Sequence, residues 1–141
     1  MSSRGIGFRY VSPSQRIFTT AEGKKMLEEL KEGKGDFKPF GQQIDVFVFS
    51  LAIGVITRDL AEAKFDQMIS ILDTYVNRDP YGIFPLVIKS MYPEAGEAEI
   101  GHLMMQFAEG GLRTIYNEFK KSGRIDFEAW IKVSRQKSAG I

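Results

Sequence analysis

The chain has no cysteine and only one histidine, His102, and these two scarcities remove much of the chemistry a short protein can carry. Without cysteine there is no disulfide, no thiolate nucleophile and no cysteine-ligated zinc. A lone histidine, with no suitably spaced carboxylates beside it, makes neither a metal site nor a Ser-His-Asp arrangement. The chain also lacks a long hydrophobic run. Its most apolar stretch, residues 44–56, contains Asp45, Ser50 and Gly54 and falls short of the roughly 20 residues a bilayer crossing needs. The glycines of "EGKGDFKPFG" have neither phosphate-loop nor GxGxxG spacing. Residues 1–10 hold no apolar signal-peptide core, and an absence of cysteine fits a cytoplasmic protein. No internal repeat is present. These gaps point to a non-enzymatic protein without a cofactor or a membrane segment.

What is present is ordinary for a globular chain. With 141 residues, 43% hydrophobic and 26% charged, a single domain with a buried core is expected over 1–141. Charge is unevenly spread. Residues 1–38 hold eight Lys/Arg and five Asp/Glu, and residues 113–141 hold seven and three. Residues 39–112 hold four against ten, so an acidic body lies between two mildly basic ends.

Periodicity predicts a mainly α, compact helical domain with a short β-prone N-terminal segment. Over 44–56, Ile44, Phe47, Leu51 and Val55 form one stripe that Val48, Phe49, Ala52, Ile53 and Ile56 widen to most of the circumference. A helix apolar nearly all round is a buried one, so this stretch is the expected central helix. Phe65, Met68, Ile69, Leu72, Tyr75 and Val76 also follow helical spacing, predicting a second helix over 65–76. A third, longer helix is predicted from Ile100, Leu103, Met104, Phe107, Gly111, Ile115 and Phe119. Gly110 and Gly111 each weaken it by about 1 kcal/mol, and close approach of the 44–56 helix is the expected return. In "NRDPYGIFPLVIKSMYP", Asp79 reads as an N-cap with Pro80 next, and Pro85 moves the helix proper to about 83–91.

The ends read differently. Thr19 and Glu22 have capping-box spacing ahead of Met26, Leu27 and Leu30, and Gly33 and Gly35 form a stop. Ile6, Phe8 and Tyr10 alternate, and "QRIFT" is a further β-prone piece. A strand at 15–18, a helix at 20–32 and a helix at 42–56 follow the order of a ribbon-helix-helix unit, whose strands pair between two copies. The 33–41 loop is longer than such units favour. Short β pieces are marginal alone, which makes a homo-oligomer the expected state. The C-terminal "RIDFEAWIKVSRQK" predicts a short helix with Phe127, Trp130 and Ile131 facing inward, frayed over 138–141.

Two constellations carry the candidate chemistry. Asp59, Glu62 and Lys64 superficially match the acid, acid and lysine of metal-dependent nucleases, but a solvated helix start with Asp59 as N-cap is the expected reading. Arg4, Arg9, Arg16, Lys24 and Lys25 are interleaved with Phe8, Tyr10 and Phe18, and residues 1–18 carry no acid. Cations among aromatics serve phosphate contact and base stacking, so these five are the candidate nucleic-acid-binding residues. The same residues also read as a solvated arm or strand over 1–18. Lys120, Lys121, Arg124, Lys132, Arg135 and Lys137 form a second basic set, of which the first two also complement a helix C-terminus.

The stretches "DFKPFGQQIDVFVFSLAIGV" (36–55) and "MMQFAEGGLRTIYNEFKKSG" (104–123) resemble small accessory proteins of bacterial and archaeal DNA phosphorothioation systems. Phe37, Asp45, Val46, Phe47, Ala52 and Gly54 match the family's aromatic loop and following helix. Phe107, Ala108, Gly110 or Gly111 and Leu112 match its later helix. The likeness covers about 40 of 141 residues, mostly core types, and residues 81–93 correspond to no part of the pattern. It implies a DNA-associated accessory or regulatory role beside the enzymes that install sulfur in the DNA backbone or restrict unmodified DNA. It carries over no catalytic residue. Expected partners are DNA and other proteins of a modification or restriction complex. The alternative is a helical adaptor that docks a basic protein on the acidic 59–99 surface and touches no nucleic acid.

Overall fold

A computed structural model of the chain describes residues 16–139. The elements run β1 (Arg16–Thr19), α1 (Ala21–Glu32), α2 (Gln43–Thr57), β2 (Gln67–Ile71), α3 (Leu72–Val76), α4 (Ile83–Met91), α5 (Glu97–Ser122) and α6 (Phe127–Ala139). The mainly helical architecture with a short β segment near its start is as the periodicity predicts. No helix among the described residues is long and apolar enough to cross a membrane.

The apolar run becomes α2, and it is enclosed as its composition requires: Val46 and Leu51 are fully buried, with Ile44, Phe47 and Ile53 nearly so. Its main neighbour is α5, which lies along it more extensively than any other pair of elements. The two backbones meet at glycines. A Cβ on Gly54 would stand 1.8 Å from the Phe107 carbonyl oxygen, and one on Gly111 would stand 1.8 Å from that of Ser50. Gly110 plays a related part, its face lying against the Asp59 carbonyl. Gly111 therefore serves the approach of α2, as expected, while Gly110 serves that of the coil just after α2. Ile100, Phe107 and Ile115 fill the seam without exposure.

Residues 65–76 are not one helix. Residues 67–71 form β2, antiparallel to β1 with Arg16 opposite Ile71 and Thr19 opposite Gln67, and the helical part shrinks to 72–76. Phe65 and Ile69 fit either period, whereas Met68 fits only the helical one, and helical packing would bury it; it is half exposed. Pairing with β1 decides the matter, because β1 otherwise leaves its ladder groups unmet. This also alters the ribbon-helix-helix expectation: β1 finds its partner in β2 of the same chain, and the need of a second copy to pair it lapses.

The helix ends show further shifts. The N-cap of α1 is Thr20, whose hydroxyl accepts from the Gly23 N–H at 2.8 Å, rather than Thr19. Gly33 ends α1 with φ +73°, as the stop signal predicts. Asp59 starts no helix; it follows the left-handed Arg58 that closes α2, and its N–H donates to the Gly54 carbonyl. The N-cap of α4 is Gly82, three residues later than Asp79. Asp79 still serves that end, accepting from Ile83 N–H at 2.8 Å and Phe84 N–H at 3.2 Å. Pro85 sits in the first turn, where no intrahelical N–H is required. In α6, Phe127 and Trp130 turn inward but Ile131 is 52% exposed. Helix α6 is intact through Ala139, one residue past the start of the expected frayed tail, and residues 140 and 141 lie outside the described range.

Tyr75 is buried, and its hydroxyl donates to Asp79 Oδ2 at 2.8 Å. Burial first, then the charge of Asp79 and this hydrogen bond, raise the phenol well above its ordinary value of 10.0.

Gly54→Ala and Gly111→Ala should each destabilise the protein by roughly 3 kcal/mol or more despite a gain in helix propensity. Gly96→Ala, where a Cβ meets nothing within 4 Å, should change stability by under about 1 kcal/mol. Chemical denaturation of the three variants would decide it. The folded state holds Tyr75 neutral while the unfolded chain ionises it near pH 10, so the unfolded state binds fewer protons there. Stability contributed by Tyr75 is therefore full below pH 10 and lost above it. Tyr75→Phe should flatten the fall of unfolding free energy between about pH 10 and 11; parallel profiles for the two proteins would refute that assignment.

Candidate functional site

Of the five residues nominated for nucleic acid, Arg4 and Arg9 lie outside the described residues. Arg16 is exposed at the start of β1. Lys25 is exposed on α1, whereas Lys24 is partly buried and its Nζ is 3.5 Å from the Met68 carbonyl oxygen, tied back to β2. The same helix carries Glu22, Glu28, Glu29 and Glu32. Arg16 and Lys25 thus stand at the surface, while Lys24 has a structural contact.

A second basic surface forms where α1 and α5 end. Lys34, which follows α1, lies against the Gly123 turn that closes α5; a Cβ there would be 3.2 Å from Lys34 Cδ. Lys34 and Lys120 line one shallow depression of about 270 Å³ together with Glu29, Glu32, Gly33 and Phe119. The Arg124 guanidinium stands 5.2 Å above the Phe37 ring, a cation–π contact. Phe37 in turn stacks on Phe119 and Phe127 at 6.3 and 6.2 Å between centroids. Lys38, next to Phe37 in sequence, and Lys121, next to Lys120, are exposed. The acid at this end is partly engaged already: Glu29 accepts from the Tyr116 hydroxyl, which raises that phenol from its ordinary value, and lies 3.7 Å from Lys120 Nζ. Sequence reasoning held Lys34 and Lys120 apart because some 80 residues separate them; the α1–α5 packing brings them to one depression.

The most buried charge is Glu109, 2% exposed on the face of α5 turned to β1 and α1. Its Oε1 accepts from the Thr19 hydroxyl at 2.9 Å and its Oε2 from the Thr20 hydroxyl at 2.8 Å. Arg113, one turn on, approaches Oε2 at 3.7 Å. A carboxylate that accepts both hydroxyls fixes the junction of β1 with α1 and orients the Thr20 cap. The adjoining space, ringed in part by Leu27, Phe47, Ser50 and Leu112, holds no water-sized void. The role of Glu109 is architectural. The periodic stripe of α5 did not reveal it, since Glu109 lies to one side of that stripe and is covered only once β1 and α1 fold over it.

The nuclease-like trio stands in the coil between α2 and β2, with Asp59, Glu62 and Lys64 all exposed. Among the described residues no three His, Asp or Glu side chains are grouped to hold a metal ion. His102 is exposed on α5, its ring edge-on to Phe65 at 5.5 Å.

His102 also lines a larger depression, a cleft of about 640 Å³ between the end of α4 and the first turns of α5. Met91, Tyr92, Pro93, Ala98 and Leu103 give it an apolar lining, with Glu94 and Glu99 among the polar residues. The Tyr92 ring is braced by Phe107 at 6.4 Å, and Lys89 Nζ donates to the Ala95 carbonyl at 2.7 Å, holding the turn between the helices.

Comparison with family models, curated proteins and solved structures finds no match to this chain.

Glu109→Ala should lower stability by about 3 kcal/mol, because it strands two buried hydroxyl donors. Glu109→Gln, which keeps a carbonyl acceptor, should lose about half of that. Denaturation midpoints of the two variants test the order; equal losses would show that charge, not hydrogen bonding, holds the junction.

Proposed function

We propose that the chain is a non-enzymatic accessory protein of a prokaryotic DNA modification and defence system, and that it holds DNA through phosphate contacts at the basic end of α1 and α5. The observation that carries this reading is that Lys34 and Lys120, from separate parts of the chain, line one depression beside Phe119, while Arg124 stands over the Phe37 ring that stacks on Phe119. Such a surface attracts a polyanion without reading its sequence. Part of the charge also offsets the C-terminal dipoles of α1 and α5, for which Lys31, Lys120 and Lys121 are well placed. Lys34, Lys38 and Arg124 stand beyond the helix ends and remain exposed. The resemblance to phosphorothioation accessory proteins supports the wider setting. Its matched residues Gly54, Phe107 and Gly111 build the α2–α5 seam, while Phe37 belongs to the basic end itself. Arg16 and Lys25 extend the candidate contact along the N-terminal side, and Arg4 and Arg9 belong to the same basic segment of sequence.

Fluorescence anisotropy with labelled duplex DNA at two salt concentrations tests the proposal. The expected result is binding that weakens steeply with salt and falls about tenfold or more in Lys34/Lys120/Arg124→Ala. The slope of log affinity against log salt should shrink by about 0.9 for each phosphate that the variant no longer neutralises. Failure of the unaltered protein to bind at low salt would overturn it. Binding kept in that variant but abolished in Arg4/Arg9/Arg16→Ala would move the interface to the N-terminal segment.

A further inference from the structure

The cleft between α4 and α5 is not an isolated hollow. Met91 in its lining continues a stripe along α4 at four-residue spacing, Val87 and then Ile83, of which Val87 is 36% and Ile83 51% exposed. Residues at that spacing share one face over about 12 Å of helix axis. An apolar strip that runs out of an open cleft is longer than a compact ligand would cover and suits one face of a helix. Carboxylates outnumber the cation at the edge of the cleft, Lys89, whose Nζ is held by the Ala95 carbonyl of the lining. Glu94 and Glu99 line it, exposed Glu97 lies between them in sequence, and no lysine or arginine lines it among the described residues. None of these three glutamates forms an ion pair with a described residue. The dipole of α5 accommodates Glu97 and Glu99 in its first turns, but Glu94 precedes the helix and gains nothing of that kind.

We infer that this face is a docking site for a cationic amphipathic helix of a partner protein, with large apolar side chains at i, i+3 or i+4 and i+7 seated on Met91, Tyr92 and Leu103, and Lys or Arg beside them facing Glu94 and Glu99. The carboxylates exclude a polyanion from the same cleft, so the occupant is a different partner from the DNA of the basic end, and neither assignment rests on the other.

The test uses the full chain and two fluorescent peptides of about fourteen residues, each with leucines on one helical face. One carries lysines beside the leucines and the other glutamates. The lysine peptide should bind and the glutamate peptide should not. Glu94→Gln/Glu99→Gln should weaken the lysine peptide about fivefold or more. Ala98→Trp, at an exposed lining position, should fill the cleft and abolish binding while circular dichroism shows the helices intact. Both variants should leave DNA affinity within about twofold, and Lys34/Lys120/Arg124→Ala should leave the peptide untouched. Equal binding of the two peptides would overturn the inference. So would binding of the lysine peptide that both cleft variants leave unchanged, or no binding to the unaltered chain at about 1 mM.

Discussion

Everything in this fold depends on how closely α2 and α5 approach. Gly54 faces the Phe107 backbone and Gly111 the Ser50 backbone at distances that leave no room for a methyl group. Side chains elsewhere in the molecule can shift by a rotamer; a main-chain carbonyl held in a helix cannot. The two helices are therefore locked in register, and the lock accounts for two apparent weaknesses of the sequence. Paired glycines in the middle of a 26-residue helix lower its intrinsic stability, and a helix apolar on all sides cannot stand in water. Each defect is removed by the other element.

With that seam fixed, α5 has two remaining flanks, and both are used. One receives β1 and α1, and there the chain places Glu109 against Thr19 and Thr20. A buried carboxylate is expensive unless its oxygens are satisfied, and two hydroxyls plus the approach of Arg113 supply that satisfaction. The arrangement makes the β1–α1 junction specific: a different placement would leave the carboxylate bare. Ser50 Oγ, nearby and without a partner among the described residues, shows how little free polar capacity the region holds. The other flank meets α4, whose first N–H groups donate to Asp79, itself held by the Tyr75 hydroxyl in the segment after β2.

The legible parts of the fold were those written as long periodic patterns. Helices α2 and α5 were readable from their stripes, α4 from the placement of Pro85, and the close approach from Gly110-Gly111. The stretch 65–71 was not readable, because Phe65 and Ile69 satisfy a helical and an extended spacing alike and Met68 favours the helical one. What separates the two is the unmet hydrogen bonding of β1, fifty residues away, and local sequence holds no trace of it. Glu109 escaped for a related reason: its burial is created by elements that are remote in sequence. The candidate binding residues fared similarly. Arg16, Lys24 and Lys25 were visible as charges, but only folding shows Lys24 turned to Met68 and Lys34 brought beside the end of α5.

Charge along α5 has a physical logic of its own. Glu97 and Glu99 stand in its first turn and Lys120 and Lys121 in its last, each favourable to the helix dipole. A helix of 26 residues spans about 39 Å, several times the screening length of about 8 Å at physiological salt. Potentials at the two ends are therefore nearly independent, although a single rigid element carries both. Among the described residues, Lys34, Lys120 and Arg124 stand near one end of α5, and the cleft lined by Glu94 and Glu99 lies at the other. Dipole complementarity alone would ask only for charges within the first and last turns. Lys34, Lys38 and Arg124 at one end, interspersed with Asp36 and Asp126, and Glu94 at the other carry charge beyond the helix, into loops the dipole no longer stabilises. Those loop charges lie outside what the helix dipole of α5 alone would require.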